Sequence, residues 1–309
     1  MGNISFNDFK ISNEIKKAVE EMGFEEPTPI QKLAIPPALN GKDVIGQAQT
    51  GSGKTVAYAI PALNKIWIPD KSPQVLVLTP TRELAIQVAG EFAKLSEFMD
   101  KIRILPVYGG QPIGRQTRVL KKGVHIVIGT CGRVLDHLRK GTLDISAIET
   151  LVLDEADEML DMGFIEDIED IIAQTPKQRQ TLLFSATMPN EIKIIAQKYQ
   201  NNPKFLKVKE TKLTVPKIEQ YYFETPRNKK ISVLCNLLDM YDINLALVFC
   251  NTIKQVDFLQ KKLKSRGYSV GAIHGKMKQD KRNRVMNKFR KGKIDILIAT
   301  DVAARGIDV

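Results

Sequence analysis

Residues 48–55 read Ala-Gln-Thr-Gly-Ser-Gly-Lys-Thr, and residues 154–157 read Asp-Glu-Ala-Asp. The first segment follows an apolar stretch at 43–47 and opens a helix-length pattern. Glycines in that position let backbone N–H groups wrap phosphates, and the start of the next helix favours anions. In such a loop Thr50, Gly51, Ser52 and Gly53 cradle the phosphates. Lys54 reaches the β/γ-phosphates and Thr55 is a candidate magnesium ligand. Ala48 stands where the general pattern has its first glycine, a small change. Asp154 and Glu155 end the run Leu151-Val152-Leu153, where side chains project from the carboxyl edge of a parallel sheet. An Asp there holds magnesium through water, and the neighbouring Glu orients or deprotonates an attacking water. Taken alone, the acidic pair equally suits the first turn of a helix, where Asp and Glu are common. With the phosphate loop upstream, it points to binding and hydrolysis of a nucleoside triphosphate with Mg2+.

Elements must bring these segments together. Short apolar runs at 43–47, 75–79, 103–108, 124–129, 150–153 and 180–184 alternate with helix-length stretches such as 54–66 and 82–98. That alternation predicts a mainly parallel α/β fold. A second series has strand candidates at 218–224, 245–250, 269–273 and 294–299, with helical patterns at 252–266 and 279–291. The looser stretch Lys207–Pro216 between the two series reads as a linker. The organisation expected is an ATP-binding domain over 1–206, a linker over 207–216 and a second, incomplete domain over 217–309.

At 309 residues with 43% hydrophobic content, the chain can bury two cores. No stretch approaches the ~20 apolar residues of a membrane span. The N-terminus lacks a basic segment followed by an apolar one, so no signal peptide is expected. Gly2 suggests myristoylation, but Phe6 stands where Ser or Thr is wanted. Cys131, Cys235 and Cys250 are scattered and odd in number, which fits a reducing cytoplasm. His125, His137 and His274 show no metal-ligand spacing. Residues 211–309 hold 20 Lys/Arg against 9 Asp/Glu, which leaves residues 1–210 balanced and puts the whole surplus of 11 in the C-terminal third. That surplus suits either a solvated surface or a nucleic-acid footprint.

Further segments carry a resemblance to a known family. They are Gly23-Phe24-Glu25-Glu26-Pro27-Thr28-Pro29-Ile30-Gln31, Pro80-Thr81-Arg82-Glu83-Leu84-Ala85, Gly109-Gly110, Thr130 with Gly132-Arg133, and Ser185-Ala186-Thr187. In the second series they are Val248-Phe249-Cys250-Asn251-Thr252, Gln279-Asp280-Lys281-Arg282, Ala299-Thr300-Asp301 and Ala304-Arg305-Gly306-Ile307-Asp308. In this order, with the phosphate loop and Asp154–Asp157, the chain resembles a DEAD-box RNA helicase from residue 6 to residue 308. The resemblance implies two RecA-like α/β domains. It implies that Gln31 reads adenine, Phe24 stacks on the base with Phe6 behind it, and Asp308 meets the ribose. An amide donates and accepts together, which matches the N6/N7 edge of adenine. Without its neighbours Phe24 reads as core. By the same resemblance Thr81, Arg82, Gly110, Thr130, Arg133, Arg282 and Thr300 meet RNA, through contacts to phosphate and 2′-OH groups. Ser185, Thr187 and Asp157 then couple hydrolysis to strand separation. Lys278, Lys281, Arg284, Lys288 and Arg290 add positive field, and plain solvation explains most of them.

Two departures carry expectations of their own. Cys131 replaces the proline of the family's Thr-Pro-Gly-Arg. At a helix start beside Arg133 its thiol is a candidate for a lowered pKa and ready oxidation. After Val309 the family continues with a strand and a His-Arg-x-Gly-Arg segment whose arginines act on the γ-phosphoryl group. The resemblance thus implies that the chain as given binds ATP but hydrolyses it poorly, and that its second sheet has an unpaired edge. The activity implied for the parent is local unwinding of short RNA duplexes with little sequence selectivity, by a cytoplasmic monomer with ATP and Mg2+. An RNA clamp or assembly subunit that binds ATP and RNA without unwinding is the alternative. A DNA translocase is disfavoured by the adenine segment and the Asp-Glu-Ala-Asp spelling.

Overall fold

The computed structural model describes residues 4–208, 219, 221–241, 243 and 245–300. The chain divides into two compact units, Met1–Lys209 and Glu210–Val309. The first unit runs α1 (Asn13–Glu21), α2 (Pro29–Leu39), β1 (Val44–Gln47), α3 (Lys54–Lys65), β2 (Val75–Thr79), α4 (Arg82–Leu95), β3 (Ile104–Val107) and α5 (Ile113–Leu120). It continues with β4 (Ile126–Thr130), α6 (Cys131–Arg139), β5 (Thr150–Asp154), α7 (Ala156–Asp161), α8 (Ile165–Ala173), β6 (Gln180–Ser185), α9 (Asn190–Tyr199) and β7 (Lys204–Lys207).

The seven strands form one parallel sheet in the order β3-β4-β2-β5-β6-β1-β7. Strands β2, β5 and β6 are buried along their whole length, as near-continuous apolar runs require when helices cover both faces. Their side chains alternate between two cores. Val75 and Val77 face a core with Ile35, Ile60 and Phe92, whereas Leu76 and Leu78 face one with Leu135, Met159 and Ile171. Helix starts follow side-chain caps. Ser12 Oγ accepts from Ile15 N, Thr81 Oγ1 accepts from Leu84 N, and Thr28 and Gln31 form a capping box with Pro29 at the first helical position.

The chain leaves β1 and crosses β6 and β5 before forming β2. This reversal puts the loops after β1, β6 and β5 side by side at the carboxyl edge of the sheet, where open α/β sheets hold ligands. Register aligns Gln47 with Ser185, and Phe184 with Asp154.

The second unit contains α10 (Lys230–Met240), β8 (Ala246–Phe249), α11 (Ile253–Lys264), β9 (Val270–Ile273), α12 (Gln279–Arg290) and β10 (Ile296–Ala299). Its three described strands are parallel in the order β8-β10-β9. Ile296 and Ile298 pack with Val256, Leu259 and Leu263 on one face, and Leu297 packs with Met286 and Phe289 on the other.

Three differences from the sequence expectations have physical causes. Strand β7 is an edge strand with a lysine at each end and Phe205 exposed, so it shows neither a buried run nor a clean alternation. The strand expected over 218–224 is not formed by its described residues. Tyr221, Tyr222 and Phe223 are largely exposed, and their β-propensity has no partner strand among the described residues to pack against. Helix α10 lies outside the helical patterns expected from the sequence, although Ile231, Leu234, Cys235 and Leu238 recur at helical spacing. Of the linker expected over 207–216, Lys207 closes β7, and residues from 209 onward lie outside the described residues, as do Asp301 and Ala304–Asp308. No helix among the described residues is long and apolar enough to cross a membrane.

Candidate nucleotide and nucleic-acid site

The phosphate loop leaves β1 at Gln47 and enters α3 at Lys54. Gly51 and Gly53 take φ of +76° and +87°, a left-handed backbone that favours glycine. A Cβ added at Gly53 would overlap Gln31 Nε2. Lys54 is buried and donates from Nζ to Ala48 O at 2.9 Å, which leaves two N–H donors for phosphate oxygens. Ser52 Oγ donates to Gln49 O at 2.6 Å.

Gln31 joins this loop to the segment before it. Its Oε1 accepts from Thr28 N at 2.9 Å, and its Nε2 donates to Gly53 O at 3.1 Å. One lone pair and one N–H remain, which is what the N6/N7 edge of adenine requires. Phe24 is exposed and stacks on the buried Phe6, with centroids 6.3 Å apart and planes 24° apart.

At the end of β5, Asp154 is buried. Its Oδ2 accepts from Tyr58 Oη at 2.7 Å and its Oδ1 from Glu155 N at 3.1 Å. Burial raises its pKa, against the pull of Tyr58 and Lys54. Glu155 precedes α7 with φ 51° and ψ 52°, a left-handed conformation that costs a non-glycine residue roughly 1–2 kcal/mol. Burial, and then the charge of Asp154, push its carboxyl up to about 7, with Lys54 pulling the other way. Lys54 acts electrostatically on both carboxyls, so the fold brings together groups a hundred residues apart. A carboxyl at about 7 can take a proton near neutrality. Asp154 and Thr55 supply hard oxygen donors beside a phosphate cradle, a donor set that fits Mg2+.

Behind this edge, α7 is tied to the segment after β6. Thr187 N and Oγ1 both donate to Asp157 Oδ2 at 2.7 Å, and Asp157 N donates to Ser185 Oγ at 3.2 Å. Burial works to raise the Asp157 pKa, but the hydrogen bonds from Ser185 and Thr187 outweigh it and hold the carboxyl below its ordinary value.

The candidate RNA residues differ in availability. Thr81 is buried and its Oγ1 caps α4 at 3.2 Å from Leu84 N. The Arg82 guanidinium lies against Gly109 and Gly110, and at Gly110 (φ +85°) an added Cβ would overlap Nη1. Gly110 itself is exposed, and Thr130 is half-buried before α6. Arg133 serves as an internal brace. Its Nη1 donates to Gln111 O and Gln116 Oε1, both at 3.0 Å, and its Nε lies 3.4 Å from Asp136 Oδ2. Gln116 in turn contacts His137 Nε2 at 3.0 Å and donates to Tyr108 O at 3.0 Å. In the second unit Arg282 is buried, while Lys281, Arg284, Lys288 and Arg290 on the same helix are exposed. An open groove of ≈ 420 Å³ beside α12 is lined by His274, Lys276, Met277, Lys278, Lys281 and Arg284. Thr300 follows β10 and is half-buried, and Asp308 lies outside the described residues.

One expectation is corrected. Cys131 does start α6, but it is fully buried, with Sγ 3.7 Å from Met159 Sδ. Burial pushes its thiol up to about 12, overriding the helix start, so it is not a reactive cysteine. Thiol labelling of the native protein at Cys131 is expected to be on the order of 10³-fold slower than in the urea-unfolded chain, from thiolate fraction alone. Equal rates in the two states would contradict the burial.

A family model described as DEAD/DEAH box helicase matches residues 28–195, more than half of the chain. The chain belongs to this family. A second model, the helicase conserved C-terminal domain, matches residues 229–309. The DEAD-box ATP-dependent RNA helicase CshA of Geobacillus kaustophilus is 52% identical over 305 residues, covering 99% of this chain and 65% of that protein. The CshA of Bacillus subtilis is 50% identical over 307 residues, with 99% and 62% covered. The chain thus spans less than two thirds of the length of these curated relatives. Among solved structures, S. cerevisiae Dbp5 bound to RNA and ADP BeF3 aligns with a TM-score of 0.87 at 32% identity, covering 99% of this chain and 78% of that one. A DEAD box protein from the hyperthermophile Methanococcus jannaschii aligns at 0.64 with 44% identity, covering 99% and 82%. Both units of this family member are therefore RecA-like α/β folds with parallel sheets flanked by helices.

Two features of this DEAD/DEAH box chain escaped the sequence reading. Tyr58, which bonds Asp154, sits on a helix face that reads as core, and only its i,i+3 spacing from Thr55 hints at more. The Gln116–Arg133–His137 network joins α5 to α6 across β4 and has no local signature.

Proposed function

We propose that this family member is an ATP-dependent RNA helicase that opens short duplexes locally, coupling ATP hydrolysis to RNA binding and release. The convergence of Lys54, Asp154 and Glu155 at one sheet edge carries the reading. In it, Phe24 stacks on the base and Gln31 reads adenine. The backbone of Thr50–Gly53 and Lys54 hold the phosphates, and Asp308 is assigned to the ribose by its motif alone. Thr55 and Asp154, the latter partly through water, would hold Mg2+, which supplies neutralisation of phosphate charge. Glu155 accepts the proton of the attacking water, and its pKa near 7 supports that role. Asp157, bound to Ser185 and Thr187, relays the state of the α7 start to the segment after β6.

RNA binding is supported by the basic surplus of residues 211–309 and by the exposed cations of α12. Thr81, Arg82, Gly110, Thr130 and Thr300 are the proposed backbone and 2′-OH contacts. Arg133 and Arg282 act from within, by shaping the loops that touch RNA, because both are drawn into the fold. The protein is proposed to work as a monomer in the cytoplasm.

In a strand-displacement assay the full-length protein is expected to release the short strand of an RNA duplex only with hydrolysable ATP and Mg2+. ATP-dependent retention of RNA without displacement would instead favour a clamp or assembly subunit. Displacement of a matched DNA duplex at the same rate would overturn the RNA assignment.

A further inference from the structure

We infer that Tyr58 is a positioning residue that holds the two proposed Mg2+ ligands, Thr55 and Asp154, in register with each other. The inference rests on the magnesium assignment above and adds a residue to it. Tyr58 lies one turn beyond Thr55 on α3 and is fully buried. Its hydroxyl donates to Asp154 Oδ2 at 2.7 Å, which ties α3, one turn beyond Thr55, to the end of β5. The other oxygen of Asp154 accepts from Glu155 N, so the carboxylate is pinned at both ends.

The ring itself cannot swing. It packs against Phe92, with centroids 6.2 Å apart, and against Phe184 at 5.4 Å. Phe184 is held in turn by Gly46, where an added Cβ would sit 2.5 Å from its ring. Phe184 also directly precedes Ser185 on β6, which gives the clamp a rigid base beside the site. A phenylalanine at position 58 would keep all of this packing and lose only the hydroxyl. Asp154 Oδ2 would then lie buried without its donor, and the carboxylate would be free to rotate.

The test compares wild type with Tyr58→Phe by titrating Mg2+ against binding of fluorescent ADP, with a thermal melt to confirm folding. The Mg2+ concentration for half-maximal tightening is expected to rise about tenfold, the size typical of lost outer-sphere support, with metal-free ADP affinity within about twofold of wild type. In steady-state hydrolysis the defect should fall on the Mg2+ requirement, with kcat recovered at saturating Mg2+. Superimposable Mg2+ titrations would overturn the inference. So would an equal loss of metal-free ADP binding, which would mean a loosened phosphate loop. ADP binding by wild type that ignores Mg2+ would overturn the proposed function and this inference together.

Discussion

Glu155→Gln is expected to cut ATP hydrolysis by on the order of 10²–10⁴-fold while leaving ATP binding intact, because it removes the proposed proton acceptor and keeps its shape. For the unsubstituted protein, kcat/KM should climb with pH and level off above about 7, where burial and the neighbouring Asp154 place the carboxyl. The same substitution should stabilise the nucleotide-free fold, and the sign follows from linkage. Below the ordinary glutamate value of 4.5, both folded and unfolded chains carry the neutral acid, so this source contributes nothing. Between 4.5 and about 7 the unfolded chain releases its proton first. The folded state then binds more protons and loses stability as pH rises. Above about 7 the loss is complete, and Glu155→Gln removes it. Solvent screening of the half-buried group limits the gain to about 1 kcal/mol, or about 2–4 °C in Tm. Melts at pH 8 and pH 4.5 check this, and a gain no larger at pH 8 would refute the burial account. The left-handed backbone of Glu155 survives the substitution, so its strain does not enter the comparison.

Gly53→Ala is expected to lower nucleotide affinity by at least about tenfold, equivalent to about 1.4 kcal/mol. Two effects add. A φ of +87° disfavours any side chain, at roughly 1–2 kcal/mol. The new methyl would also displace the Gln31 amide, breaking its bond to Gly53 O and crowding Thr28 Oγ1 at 3.2 Å. Gly51→Ala separates the two effects, because Gly51 shares the left-handed backbone (φ +76°) but has open space around it. Fluorescent ADP titrations of both variants should place Gly53→Ala clearly below Gly51→Ala. Equal losses would mean that the Gln31 contact contributes nothing to the shape of the loop.

Much of this chain was legible without coordinates. The order of phosphate loop, Asp154–Asp157 and the motif segments before and after them pointed to the family, and the family match agrees. Strands β2, β5 and β6 could be read because strands covered on both faces need continuous apolar runs, a purely local requirement. Strand β7 could not, because an edge strand makes no such demand, and the aromatic run at 221–223 shows the converse, propensity without a partner.

The site divides along the same line. Residue types and spacing nominated Lys54, Thr55, Asp154 and Glu155, because phosphate and magnesium chemistry needs those groups wherever the chain puts them. Only the strand order β5-β6-β1 brings them to one edge, and burial there, with the charge of Asp154, lifts Glu155 towards neutrality. Burial likewise silences Cys131, whose helix-start position suggested the opposite, and it draws Arg133 and Arg282 into the fold. It also turns Tyr58 from an apparent core residue into a partner of Asp154. Identity and order are properties of the chain, whereas desolvation and juxtaposition depend on which distant segments exclude water from a group, and the tertiary structure alone decides that.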